Sequence, residues 1–304
     1  MKEAFITKRF NSASQRLIAT INQILADYAE AGYDLSLRQL YYQLVSRNIV
    51  ENTEKSYKNV GKLVSDARLA GLIDWDIIRD RGRVTVGNSH WSSPADIVKS
   101  AAYSFRIDRW KNQKNYIEVM VEKQALEGVL IPVCKDHDVR FTANKGYTSS
   151  SAARETSIRF NDAMSDGKEV HVIYLGDHDP SGIDMSRDVD DRLRLFTYGV
   201  GVTVHRIALN MDQVKTFNPP PNPAKITDSR ASGYIKKFGK ESWELDAIEP
   251  KKLAQLVIDK INSLTDPKKW KASHKIQEAG RKELHKFADS YDENNGKGKG
   301  KRKK

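Results

Sequence analysis

Residues 170–182 read VHVIYLGDHDPSG, and this stretch decides the fold class. Its first six residues are mostly apolar and β-branched or aromatic, which is typical of a short strand buried on both faces. The glycines, Pro180 and the two aspartates that follow favour a tight turn, and a helical pattern resumes at about Ile183. A buried strand that turns directly into a helix predicts an α/β fold with a parallel sheet and right-handed crossovers.

Working outward, strands are also predicted at residues 116–121, 139–143 and 202–208. Helices alternate with these strands. One begins at about Gln124, one spans residues 149–164, and one begins at about Ile183. The segment 218–224, NPPPNPA, is predicted to be a stiff non-helical connector. Helices follow at 250–264 and 267–288, and the low-complexity end GKGKGKRKK, residues 296–304, is predicted to be disordered.

The N-terminal part has a different pattern, with three short amphipathic helices predicted at 12–31, from Ser36, and at about 55–70. Ser36 and Gln39 form a capping-box pair. Residues 72–86 are interpreted as a short strand and a basic turn, which completes a winged helix-turn-helix domain that binds DNA. A small helical domain with a solvated basic face is the alternative. The predicted DNA-binding residues are Lys55, Lys58, Lys62, Arg68, Arg79, Arg81 and Arg83.

The distribution of charge along the chain favours some classes of function over others. The formal net charge of +11 divides into +6 over residues 1–115, −2 over residues 116–265 and +7 over residues 266–304. Basic ends favour a nucleic-acid partner, and an acidic centre is what a metal-using enzyme of nucleic acids needs. Cys134 is the single cysteine, which excludes a disulfide framework. Because we find neither a long apolar run nor a signal peptide, we expect a cytoplasmic, nucleoid-associated protein without membrane contact.

Acidic residues follow two of the predicted strands. Glu122 comes directly after the first strand, and Asp177 and Asp179 come after the third. Ligands of parallel α/β sheets bind beyond the carboxyl ends of the strands, and a cluster of carboxylates suits Mg²⁺ or Mn²⁺. A solvated acidic loop is the alternative to this metal site.

Other polar residues nearby are assigned lesser roles. His178 lies between the two aspartates, so its side chain is expected to face away from them. Asp184 is either a further acid of the site or a helix-capping residue. The segment Trp243-Glu244-Leu245-Asp246 is interpreted as a structural strand, with a contribution to the metal site as the alternative. Residues 228–230, Asp-Ser-Arg, are either a polar loop near DNA or a cap.

The strand-end acids resemble the Toprim fold of topoisomerases, primases and some nucleases. That resemblance implies that Asp177 and Asp179 hold a metal ion and that Glu122 is a ligand or an acid–base group. A winged helix followed by Toprim is similar to the A subunit of topoisomerase VI and to the related meiotic transesterase. The matching segments are LRQLYY at residues 37–42, Glu122-Lys123, and DHDPSG at residues 177–182, with GYT at residues 146–148 a partial match.

This resemblance spans roughly residues 30–250 and also includes prophage and mobile-element proteins with the same arrangement. It implies that Tyr42 attacks DNA, that Arg38 binds the phosphate or a phenolate, and that Tyr42 of one subunit of a homodimer meets the metal site of the other. A separate ATPase subunit is a further possible partner. On a helical wheel, Tyr41 lies within the apolar face and Tyr42 lies 100° away from it, so Tyr42 is expected to be partly exposed.

Three functions remain open from the sequence. The first is a Mg²⁺-dependent DNA-cleaving transesterase, the second a Toprim nuclease that uses water, and the third a non-enzymatic winged-helix protein that binds double-stranded DNA. The predicted domains are a winged helix at residues 1–110, a Toprim-like metal-binding domain at 111–265, and a C-terminal helix with a basic tail at 266–304.

Overall fold

The computed structural model describes residues 2–78, 87–144 and 146–299. The helices are α1 Ser12–Glu30, α2 Leu37–Ser46, α3 Glu54–Leu69, α4 Pro94–Ser104, α5 Glu127–Asp136, α6 Ser150–Ser165, α7 Pro180–Phe196, α8 Met211–Phe217, α9 Ala231–Phe238, α10 Pro250–Ser263 and α11 Pro267–Lys299. The strands are β1 Asn115–Val121, β2 Arg140–Ala143, β3 Glu169–Leu175, β4 Val202–Ala208, β5 Asn222–Pro223 and β6 Glu241–Ser242. Short 3₁₀ helices span Gln124–Leu126 and Leu245–Ala247.

These elements form two compact units, one of residues 2–78 and 116–263 and the other of residues 87–115 and 264–299. In the second unit α4 packs against α11. The backbone N–H of Ile107 donates to Gln277 at 3.2 Å, and Gly280 lies so close to the Phe105 ring that a Cβ there would be 2.6 Å from it. This division differs from the predicted boundaries at 110/111 and 265/266, because the sequence pattern does not reveal a contact between segments so far apart.

The parallel sheet is present, with strand order β2-β1-β3-β4, and the protein is a mixed α/β structure. In register, Glu118 of β1 pairs with Arg140, and Val170 of β3 pairs with Val202. Helices α6 and α7 pack on one another beside β3 and β4. Tyr174 and Phe160 are fully buried in the core that results. The order places β1 beside β3, so the two strands that carry the predicted acids are neighbours.

The three N-terminal helices pack around a separate group of apolar side chains that includes Ile21, Leu40 and Val60. The predicted capping box of α2 is confirmed, since Gln39 N–H donates to the Ser36 hydroxyl and Ser36 N–H donates to Gln39. Asn11 caps α1, since its side-chain oxygen accepts from the N–H of Ser14 at 2.8 Å. Of the predicted strand and turn at residues 72–86, only residues 72–78 are described, and there Ile78 forms an isolated bridge with Leu35.

Some helices are longer than the sequence predicts, and the structure contains additional short elements. Helix α7 begins at Pro180, three residues before the predicted start, because Asp179 caps it. Helix α11 continues to Lys299, so it includes residues 296–299 of the predicted tail. The predicted connector at residues 218–224 is not helical, and it contributes β5 to a small antiparallel pair with β6. Short helices such as α8 and α9 carry too few periodic residues to be recognised from sequence.

Within the described part of the chain, none of the helices combines the length and the apolar character that a transmembrane span requires.

Candidate active site at the strand ends

Neighbouring strands bring Glu122 and Asp177 together. The N–H of Glu122 donates to the carbonyl of Leu175 at 2.9 Å, which extends the pairing of β1 with β3 beyond their ends. The N–H of Asp177 then donates to Oε2 of Glu122 at 2.8 Å. Both side chains are buried, and burial raises the pKa of Glu122. These two predicted site residues therefore share one polar centre at the end of the sheet.

Asp179 is the N-cap of α7. Its Oδ1 accepts from the N–H of Gly182 at 2.6 Å and from the Ser181 hydroxyl at 3.0 Å. Gly182 is required at this turn, because a Cβ there would lie 2.4 Å from the carbonyl oxygen of Asp177. Asp179 still lines the same cleft as Glu122 and Asp177, so one carboxylate both begins the helix and faces the candidate site.

Glu244 and Asp246 also reach this cleft, which has a volume of about 720 Å³. The interpretation of their segment as a structural strand holds only for Trp243, which forms an isolated β-bridge with His178, because Leu245–Ala247 is a turn of 3₁₀ helix. Its first N–H, from Leu245, donates to Oδ1 of Asp177 at 2.7 Å. The acid-x-acid spacing of Glu244 and Asp246 repeats that of Asp177 and Asp179, and that repetition is the signal that could have identified them.

Lys123 lies among these acids. Its ammonium is 2.7 Å from Oδ2 of Asp177 and 3.5 Å from Oδ1 of Asp246, and it also contacts Glu244. Burial raises the pKa of Asp177 to about 8, although Lys123 acts to lower it. Burial likewise raises the pKa of Asp246. The cleft thus holds more carboxylates than the neighbouring cations balance.

The donor set fits Mg²⁺ or Mn²⁺ in its chemistry. All five acids offer hard oxygen atoms, and among the described residues neither carboxylate oxygen of the buried Asp246 receives a hydrogen bond, although Arg38 and Lys123 lie nearby. Within residues 2–78, 87–144 and 146–299, however, no group of three or more His, Cys, Asp or Glu side chains is arranged so that it could hold a metal ion. Glu122, Asp177 and Asp179 are the residues that would hold the ion in the predicted arrangement.

Helix α2 places Arg38 in the lining of the same cleft and Tyr42 directly behind it, in contact with Arg38. The guanidinium of Arg38 is 2.6 Å from Oε1 of Glu244 and 3.2 Å from Oδ2 of Asp246. Its Nη2 also donates to the hydroxyl of Tyr42 at 3.4 Å, and the side-chain amide of Asn222 donates to that hydroxyl at 3.4 Å. Arg38 therefore bridges the candidate nucleophile and the acidic residues within one chain.

Tyr42 is only 4% exposed, so the expectation that it is partly exposed is wrong. The helical wheel places it away from the apolar face, but Tyr42 belongs to the buried core of the three N-terminal helices, and its hydroxyl contacts Asn222 of β5. Burial raises the pKa of Tyr42, and Glu244 raises it further, while Asn222 and Arg38 act to lower it. Tyr42 therefore carries its proton at neutral pH in this arrangement.

Tyr41, by contrast, is a structural residue, as predicted. Its hydroxyl accepts from the N–H of Thr53 at 2.9 Å and lies 3.1 Å from the carbonyl oxygens of Glu51 and Thr53, either of which can accept its hydrogen. Its ring packs edge-on against Tyr57 at 5.2 Å. These contacts fix the turn between α2 and α3.

The predicted orientation of His178 is confirmed. Its ring turns away from the acids, lies 2.7 Å from the hydroxyl of Tyr234 and packs against Phe238 and Trp243. Burial lowers the pKa of His178 to about 4. The backbone groups of His178 and Trp243 pair in both directions, at 2.8 and 2.9 Å, which ties the two acid-bearing segments together.

Asp184 belongs to a different cluster. It accepts from the hydroxyl of Tyr147 at 2.8 Å and from Arg230 at 3.0 Å. Asp228 in turn pairs with Arg230 at 2.7 Å. These residues join α7 to the 228–230 loop and lie outside the cleft lined by Asp177.

The predicted DNA-binding residues separate into three groups. Lys55, Lys58 and Lys62 of α3 are exposed, and Lys58 pairs with Glu54 at 2.7 Å. Arg68 instead turns inward, where it donates to the carbonyls of Trp75 and Ile78 and stacks on the Trp75 ring; its assignment to DNA contact is corrected to a structural role. Arg79, Arg81 and Arg83 lie outside the described residues.

Arg206 of β4 holds the turn that carries the acids, a residue that the sequence analysis missed. Its Nη2 lies 3.1 Å from the carbonyl of Gly176, 2.6 Å from that of Asp177 and 3.1 Å from that of Leu209. Its Nη1 donates to the carbonyl of Gly182 at 3.1 Å. One buried guanidinium thus satisfies the backbone on both sides of Asp177.

Arg206→Met is expected to lower the free energy of unfolding by about 3 kcal/mol, because several buried carbonyls lose their donor. Urea denaturation followed by circular dichroism measures the change. The matched control is Arg194→Met on α7, where an exposed arginine pairs with Asp190, and this control should leave stability nearly unchanged. Equal losses in the two variants would contradict the role assigned to Arg206.

Comparison of the chain with protein-family models gives no match, and comparison with curated proteins gives none either.

Proposed function

We propose that this protein is a metal-dependent DNA-cleaving enzyme that resembles the A subunit of topoisomerase VI. The observation that carries the proposal is the bridge made by Arg38. It contacts the Tyr42 hydroxyl at 3.4 Å and Glu244 at 2.6 Å, so a candidate nucleophile and an acidic cleft belong to one polar network. The proposal also includes the assignment of residues 1–110 to a winged helix and of residues 111–265 to a Toprim-like domain.

The chemistry proposed is transesterification. The hydroxyl oxygen of Tyr42 attacks the phosphorus of one DNA phosphodiester. A bond between phosphorus and that oxygen forms as the bond from phosphorus to one deoxyribose oxygen breaks, the phenol loses its proton, and the departing sugar oxygen gains one. Arg38 would bind the phosphate, and Asn222 would orient the phenol.

Glu122, Asp177 and Asp179 would hold the metal ion in this proposal. When bound, Mg²⁺ or Mn²⁺ supplies positive charge that offsets the charge developing on the phosphate. The exposed lysines of α3 would contact the DNA backbone, whose phosphates attract cationic side chains irrespective of sequence. Double-strand cleavage would require two copies of the chain, and strand passage driven by ATP would require a separate subunit. The compartment expected for this activity is the cytoplasm, on the nucleoid.

The resemblance implies that Tyr42 serves the metal site of a partner subunit. The contacts of Arg38 instead link Tyr42 to Glu244 and Asp246 of its own chain. They support a site in which both parts come from one chain.

A second candidate function is a nuclease that uses water. It is favoured by the contrast between Tyr42, which is buried, and the cleft itself, where the side chains of Lys123 and Glu244 are 23% and 24% exposed. Water and phosphate reach such a cleft more readily than they reach the phenol.

The test is cleavage of a supercoiled plasmid in Mg²⁺ or Mn²⁺, stopped with detergent and divided into samples with and without protease. The expected result is cleaved DNA that partitions into phenol with the protein until protease is added. Cleaved DNA with free ends would assign the protein to the nuclease. Binding without any cleavage in either metal would leave a DNA-binding protein and overturn both enzymatic proposals.

A further inference from the structure

The Lys123 ammonium occupies a position surrounded by three acidic side chains. It lies 2.7 Å from Asp177 and 3.5 Å from Asp246, and it contacts Glu244 directly. Several carboxylates around one point create a strongly negative potential that attracts a cation. Lysine carries a compact charge on a flexible stem, so this charge can leave the position without any movement of the backbone.

Asp246 supplies an independent observation. Its side chain is 0% exposed, and neither of its oxygens accepts a hydrogen bond from the described residues. Arg38 and Lys123 approach them at 3.2 and 3.5 Å. Buried carboxylates normally have hydrogen-bond donors or a metal ion. Oδ1 of Asp246 faces the position that the ammonium now holds, and Oδ2 faces Arg38.

The position is also open to ions from solution. Lys123 and Glu244 line the cleft and keep about a quarter of their side-chain surface exposed, at 23% and 24%. Asp177 is fixed for this purpose, because its Oδ1 accepts from the N–H of Leu245 while its Oδ2 faces Lys123. A cation that enters the cleft therefore meets an ordered carboxylate oxygen.

We infer that Asp177, Glu244 and Asp246 form a divalent-cation site whose position the Lys123 ammonium holds in the metal-free chain. Mg²⁺ or Mn²⁺ displaces Lys123 toward the cleft when it binds. This ligand set shares only Asp177 with the predicted set of Glu122, Asp177 and Asp179. The site therefore forms only when Lys123 leaves, which accounts for the lack of a ready group of metal ligands in the described part of the chain.

Binding of Mn²⁺ alone, measured by electron paramagnetic resonance and by calorimetry on the full chain, tests this site without DNA. Asp246→Asn is expected to weaken Mn²⁺ binding about tenfold or more, because the site loses a charged ligand. Lys123→Met is expected to tighten it about tenfold, because the competing charge is gone. The matched controls Glu249→Gln and Lys252→Met change an ion pair outside the cleft and should leave the affinity unchanged.

Circular dichroism establishes that each variant is folded before it is titrated. If Lys123→Met does not fold, Glu244→Gln takes its place, since Glu244 lies at the open edge of the cleft and its loss should weaken binding as Asp246→Asn does. Unchanged Mn²⁺ affinity in Asp246→Asn overturns the inference, as does affinity in Lys123→Met no tighter than that of the unaltered chain. Binding that is lost only in Glu122→Gln and Asp179→Asn also overturns it. None of these results depends on whether the protein cleaves DNA.

Discussion

Tyr42→Phe is expected to abolish the covalent protein–DNA complex and to slow DNA cleavage at least about a thousandfold. The variant removes the one atom that would bond to phosphorus and keeps the ring that packs beside Tyr41, at 5.5 Å between ring centroids. Both donors to that hydroxyl, Arg38 and Asn222, lie at 3.4 Å. Such long hydrogen bonds contribute little, so the free energy of unfolding should change by less than about 1 kcal/mol.

The matched control is Tyr41→Phe on the same helix. Its hydroxyl accepts from Thr53 N–H at 2.9 Å, so removing it leaves a backbone donor without its partner. We expect a stability loss of about 1–2 kcal/mol and a cleavage rate close to that of the unaltered protein. The two variants should therefore show opposite patterns of activity and stability, which a general effect of tyrosine removal could not produce.

Plasmid cleavage and phenol partition, measured at one salt concentration and with one metal, give the rates and the covalent fraction. If Tyr42→Phe cuts DNA as fast as the unaltered protein and leaves free ends, water is the nucleophile. The tyrosine would then be a structural residue, and the topoisomerase resemblance would describe the architecture alone.

Asp177→Asn is expected to reduce metal-dependent cleavage by at least about a thousandfold while DNA binding persists. Asp177 belongs to both ligand sets considered above, so its charge is needed wherever the ion binds. The asparagine should fold, because it has the size of the aspartate and its neutral amide costs less to bury than a carboxylate, whose pKa burial raises here. The side-chain oxygen can still accept from Leu245 N–H, as Oδ1 of Asp177 does at 2.7 Å.

Asp184→Asn is the comparison for this variant. Asp184 lies on α7 close to Asp179, but it is engaged with Arg187, Arg230 and Tyr147. Its replacement should reduce cleavage far less than Asp177→Asn does. Filter binding to duplex DNA and titration of Mg²⁺ in the cleavage assay separate loss of binding from loss of catalysis. Cleavage by Asp177→Asn at the unaltered rate would remove the metal site from the mechanism.

Much of the sheet and half of the cleft can be predicted from sequence because the relevant signals are local. The apolar run 170–175 identifies β3, and the acids that follow β1 and β3 are predicted neighbours once the strands are taken as parallel. The capping box at Ser36 is equally local, since both partners lie within one helical turn. In these cases the pattern that predicts an element lies within that element or directly beside it.

The other half of the cleft depends on contacts between distant segments. Glu244 and Asp246 reach Lys123 across about 120 residues, and nothing within their own segment shows which strand end they approach. Tyr42 illustrates the same limit, since a helical wheel gives the direction of its side chain but not the presence of Asn222 on that side. The role of Arg206 cannot be recognised from sequence for a related reason. Its partners are backbone carbonyls, which every sequence contains.

The reciprocal backbone pairing of His178 with Trp243 has a consequence for how the molecule opens. Those two hydrogen bonds, at 2.8 and 2.9 Å, close residues 179–242 into a loop whose ends carry the acids on either side. An opening that breaks the pairing separates Asp177 from Glu244 and Asp246 in one event. The amide hydrogens of His178 and Trp243 should therefore exchange with solvent deuterium together, as members of one cooperative unit, and their common rate reports how often the two halves of the cleft come apart.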